Sequence, residues 1–82
     1  MVVVHRAHGF RFVIYTLDHE PAHIHITGDG QAKVNLLGPG GAPVVIYSIG
    51  IRRSALRRLI AEVVERQDIF LREWERIHGR RD

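Results

Sequence analysis

The sequence predicts an α+β domain: a small antiparallel sheet of four to five strands with a C-terminal helix or helix pair packed on one face. Two observations carry that prediction. Near Gly50 the pattern switches once, from short apolar runs punctuated by turn residues to a long amphipathic stretch. Ahead of the switch, Gly28-Asp29-Gly30 separates two strand-like segments, a hairpin signal in which glycine supplies the positive φ that other residues resist.

The elements follow in order. Val2–Val4 and Phe10–Leu17 are rich in β-branched and aromatic residues, with Gly9 between them as a turn or bulge. In the second run Phe10, Phe12, Ile14 and Thr16 alternate with Arg11, Val13, Tyr15 and Leu17. Neither face is cleanly polar, which places this strand inside the sheet. His23–Thr27 and Gln31–Leu37 form the hairpin. Gly38 to Pro43 is a loop by composition, and Val44–Ser48 adds a short final strand.

From Arg52 to His78 the apolar residues Leu56, Leu59, Ile60, Val63, Phe70, Trp74 and Ile77 fall on one helical stripe. A stripe this coherent belongs on a sheet. Gln67 interrupts it, and Gln67-Asp68 marks the place where one helix would become two. Ser54 as N-cap and a slightly earlier start at Arg52 preceded by Gly50 are the alternative N-terminal boundaries, and Gly79 is a natural stop before a charged tail expected to fray. Glu62 and Arg66 stand four apart, a solvated ion pair worth about 0.2–0.5 kcal/mol.

Composition bounds the function. The 82 residues suit one domain, 1–82, with 45% hydrophobic and 26% charged residues, an ordinary globular balance. No cysteine is present, so disulfides, thiolate metal sites and cysteine nucleophiles are excluded. No apolar run reaches membrane-spanning length and no signal peptide opens the chain, so a soluble cytoplasmic protein is expected. The formal charge is +3, and eleven of the twelve basic residues are arginine, the side chain suited to bidentate pairing with phosphate or carboxylate.

Chemistry is expected in Asp18–Leu37, where His19, His23 and His25 place three of the six histidines within seven residues. On a strand His23 and His25 project from one face and Ile24 and Ile26 from the other. Such a cluster can coordinate metal, move protons or hold phosphate, or it can be purely structural. As a metal pattern, H-x-x-x-H-x-H is weak. RNA cleavage needs a base, an acid and a cation, which His19, His23, His25, Glu20, Arg11 and Lys33 could supply if the strand of Lys33 lies beside that of the histidines. Arg52, Arg53, Arg57 and Arg58 crowd the first helical turns, where positive charge opposes the macrodipole, which points to an RNA backbone or an acidic partner, with an ordinary solvated basic face as the equal alternative. Phe70 and Trp74 are read as core.

The segment GFRFVIYTLDHEPAHIHITGDGQAKVNL, followed by a helix ending in LREWERIHG, resembles the small bacterial family called domain of unknown function 4160. The block Asp18–His25 is its most specific part. Ala22 departs from the family's common second proline, and Gly38 to Pro43 is unusually glycine-rich. The resemblance implies an antiparallel sheet covered by C-terminal helix, and a cognate partner from domain of unknown function family 2442. It also implies the toxin role in a type II toxin-antitoxin pair, suppressing translation by RNA or ribosome binding, with RNA cleavage as a further option.

Together these readings assign His19, His23 and His25 as catalytic candidates. Arg11, Asp18, Glu20, Lys33, Arg52, Arg53, Arg57 and Arg58 are assigned to RNA or partner binding. No metal and no cofactor are assigned. The expected partners are a small antitoxin, in a hetero-oligomer, and RNA or the ribosome, with no membrane. The alternative is an antitoxin-like or regulatory module that controls transcription with its partner. A metal-dependent enzyme of small-molecule metabolism stands third.

Overall fold

The computed structural model describes residues 1–79; the charged tail beyond Gly79 lies outside the described residues. Five strands, β1 (Val2–Ala7), β2 (Phe10–Ile14), β3 (His23–Gly28), β4 (Gly30–Asn35) and β5 (Val44–Ile49), precede two helices, α1 (Arg53–Glu65) and α2 (Gln67–His78). The strands form one antiparallel meander in chain order, β1-β2-β3-β4-β5. Consecutive strands pair because each connection is a short turn or loop, the arrangement that antiparallel ladders allow. The α+β architecture matches the sequence prediction, with five strands and two helices.

Period-2 alternation builds the core. Phe12 and Ile14 from β2, Ile24 and Ile26 from β3, and Ala32 and Val34 from β4 are buried against Leu59, Val63, Phe70 and Trp74 of the helices. The other stripe residues, Leu56, Ile60 and Ile77, pack at the margin of this cluster. Phe12 and Phe70 stack with ring centroids 5.9 Å apart, joining sheet to helix layer. Both helices therefore cover the same face of the sheet. The other face carries Arg11, Val13, His25, Lys33 and Tyr47, outside the core cluster that the helices cover.

Several boundaries move. The second strand ends at Ile14, because Asp18 N–H bonds the Tyr15 carbonyl at 3.0 Å and turns the chain. The first helix starts at Arg53 with Arg52 as N-cap and no side-chain cap bond, within one residue of the earlier start at Arg52, and Ser54 lies inside the helix. The helix does break at the expected place, and Gln67 is the reason its stripe tolerates a polar residue. Its Nε2 donates to the carbonyls of Leu36 at 2.6 Å and Gly41 at 2.9 Å, tying the helix junction to the β4–β5 loop.

Glu62 is not chiefly an i,i+4 partner of Arg66. Its carboxylate accepts a bond from His5 Nε2 at 3.0 Å, across the gap between α1 and β1. That bond holds the Glu62 carboxyl below its ordinary value of 4.5, with Arg66 contributing only as a more distant charge. A carboxyl depressed in the folded state gives stability that is present above the unfolded value and lost as pH falls through the folded one. Urea midpoints taken from pH 7 downward are therefore expected to fall below about pH 4.5 for this reason among others, and Glu62→Gln is expected to flatten that part of the slope.

Candidate functional site

The loop between β2 and β3 folds its acidic residue back onto the histidine strand. Asp18 Oδ2 lies 3.2 Å from His23 Nε2 and 3.4 Å from His25 Nε2. The carboxylate is held there by the Tyr15 N–H, 3.2 Å away, within the same turn. His23 Nδ1 is 2.9 Å from the Pro21 carbonyl, which can only accept, so that nitrogen carries a proton and Nε2 is the atom that faces Asp18. The two imidazole rings stand 5.0 Å apart at 78°, and the Tyr15 ring meets His25 edge-on at 4.8 Å.

The cluster is largely sheltered. His23 is only 4% exposed, wedged against Trp74 with ring centroids 5.1 Å apart. The sequence placed this pair on an open strand face; Trp74, at the end of the helix layer, closes over its first member. His25 remains partly accessible, yet its Nε2 is buried and makes no hydrogen bond. Burial holds the His25 imidazole below its ordinary 6.5, with His23 and Lys33 pushing the same way against the attraction of Asp18.

The three histidines named from sequence do not converge. Asp18, His23 and His25 bring one ligand atom each to within 4.8 Å of one another, whereas His19 is exposed on the loop. His19 instead lines a cleft of about 450 Å³ with Asp18, Glu20, Trp74, His78 and Gly79. Glu20 accepts a bond from Trp74 Nε1 at 2.7 Å, an anchoring role for the loop. Lys33 is brought to the site: it pairs directly with His25 across β3–β4 and with Tyr47 across β4–β5. Arg11 is exposed on β2 opposite Thr27, one step along the same face. Arg52, Arg53, Arg57 and Arg58 are exposed at the start of α1, outside the histidine cluster.

Sequence reasoning missed three neighbours of the site: Tyr15, Trp74 and His78. The Trp74 and His78 rings stack at 3.9 Å, and His78 contacts the carbonyls of Trp74 at 3.1 Å and Tyr15 at 3.2 Å, clamping the end of α2 to the loop. Their i,i+4 spacing in the last helical turns was the available signal. Trp74→Phe keeps most of the ring contact but removes the indole N–H that bonds the Glu20 carboxylate. It is expected to lower the unfolding free energy by about 1.5–3 kcal/mol, the range for a hydrogen bond to a charged group, read from urea denaturation.

The fold and the cluster together define a small α+β domain with an imidazole-carboxylate centre at the end of its sheet. The chain belongs to the family described as Domain of unknown function (DUF4160), whose model matches residues 9–75. That span takes in β2 to β5, the whole cluster and α1, and reaches most of α2. Comparison with curated proteins and with solved structures finds no match. Among the described residues no helix is long and apolar enough to cross a membrane.

Proposed function

We propose that this chain is the toxin of a two-protein bacterial toxin-antitoxin module, acting in the cytoplasm by binding RNA, on its own or in the ribosome, and so suppressing translation. One observation carries the reading: the face of the sheet opposite the core sets Tyr15, His25, Lys33 and Tyr47 side by side, with Arg11 exposed next to them. Aromatic rings and cations on an open sheet are the elements from which single-stranded RNA platforms are built, the rings for stacking and the cations for phosphate. The exposed arginines of α1 offer a second cationic surface, suited to an acidic antitoxin in a hetero-oligomer.

Binding fits the geometry better than cleavage. A general acid and a general base must both reach the phosphodiester, and His23, at 4% exposure, cannot. Hydrolysis would have to proceed on His25 and the exposed His19 without it.

The experiment is induction of the chain alone in bacteria, following growth and radiolabelled amino-acid incorporation. Early loss of incorporation is expected, relieved in an Arg11→Ala, Lys33→Ala double variant that leaves the core untouched. Normal growth at good expression would overturn the toxin reading and favour the regulatory one.

A further inference from the structure

We propose that Asp18, His23 and His25 form a binding site for one zinc-class divalent cation, with the remaining coordination position open to an exchangeable ligand. The inference goes beyond the translational reading and holds whether or not the chain inhibits growth.

Hydrogen bonding states the problem that a cation solves. With its Nδ1 proton committed to the Pro21 carbonyl, the neutral form of His23 points a lone pair at a carboxylate oxygen that also has only lone pairs to offer. Two acceptors 3.2 Å apart repel unless something positive joins them. His25 adds a second imidazole nitrogen at 3.4 Å from the same oxygen, buried and without a hydrogen bond. One proton can join only two of the three groups. A cation can satisfy all three at once.

The spacing selects the kind of cation. Zinc bound to imidazole nitrogen or carboxylate oxygen has bonds of about 2.0–2.1 Å, so the edges of its tetrahedron are about 3.3 Å. Two of the three separations, the carboxylate-imidazole ones at 3.2 and 3.4 Å, bracket that edge, and the two imidazole nitrogens, within 4.8 Å of each other, draw together when the ion binds. Octahedral geometry at the same bond length would need edges of about 2.9 Å. Two neutral imidazoles and one carboxylate favour zinc, cobalt or ferrous iron over magnesium or calcium, which take oxygen ligands.

The outer shell has the form that metal sites use. The Pro21 carbonyl fixes the His23 tautomer and ring, and the Tyr15 N–H orients the Asp18 carboxylate. With three protein ligands the fourth position is free for water or an anionic oxygen, as in catalytic rather than structural zinc centres.

The test uses the full chain, stripped with chelator and titrated with Co²⁺ and then Zn²⁺. One equivalent of Co²⁺ is expected to give the visible absorption of a tetrahedral centre, displaced by one equivalent of Zn²⁺. Asp18→Asn and His25→Gln are expected to weaken binding about 100-fold or more, since even outer-shell changes cost 10–100-fold. His5→Gln, which alters an imidazole outside the cluster, is expected to leave it unchanged. In the unmodified protein, ¹⁵N NMR is expected to shift Nε2 of both His23 and His25 on adding Zn²⁺. Absence of stoichiometric binding to the unmodified protein overturns the proposal. So does binding that shifts other histidines or survives both substitutions.

Discussion

Phe70→Ala is expected to lower the unfolding free energy by about 3–5 kcal/mol, the range for removing a buried phenylalanine ring. Phe70 is fully buried, stacks on Phe12 at 5.9 Å and stands 6.0 Å from the His5 ring, so it meets side chains of β2 and β1 at once. The cavity would open between two layers of secondary structure, and the backbone of neither can move in to fill it without breaking strand pairing or helix. A domain of this size has about 5–15 kcal/mol in total. A large fall in the urea midpoint is expected, with Phe70→Leu losing much less because most of the volume is kept. Equal losses for alanine and leucine would mean that ring stacking, not volume, holds the layers together.

Gly30→Ala is expected to destabilise by about 2–6 kcal/mol, summing about 1–3 for backbone strain and about 1–3 for overpacking. Gly30 has φ +122°, a region L side chains rarely adopt, and a Cβ there would lie 2.6 Å from the Gly50 carbonyl oxygen and 2.8 Å from that of Ile49. Those are backbone atoms and cannot swing aside. The hairpin turn thus passes directly against the exit of β5, and the close approach sets how β5 hands over to α1. Gly40→Ala is the matched control: nothing lies within 4 Å of its Cβ position, and its φ is not in the strained region. It is expected to be neutral, or stabilising by about 0.4–1 kcal/mol through a less flexible unfolded chain. Thermal denaturation of the two variants side by side measures the difference.

Linear patterns made most of the fold legible. Alternation put Phe12 with Ile14 on one face of their strand and Ile24 with Ile26 opposite the histidines, the faces that form the core, and the 3.6-residue stripe put Leu59, Val63, Phe70 and Trp74 on the helix face that meets the sheet. The Gly-Asp-Gly turn located the hairpin that puts Lys33 beside His25. These succeed because burial of one face is a property each strand or helix carries in its own sequence. Polar partners are different. Nothing local ties His5 to Glu62, 57 residues away, or Gln67 to the carbonyls of Leu36 and Gly41. Those bonds come from groups that packing happened to bury and that then required partners.

The same distinction divides the site. The sequence by itself determined that histidines would share one side of β3, because side chains on a strand alternate with period two. It also determined that no thiolate chemistry is possible, because the chain has no cysteine. Only the tertiary structure decided which groups meet. The turn at Tyr15–Asp18 carries a carboxylate to His23 and His25 and leaves His19 outside, and Trp74 shelters His23 from solvent. A loop's path depends on what it packs against, here the end of α2 more than fifty residues later in the chain, and no local periodicity encodes that contact.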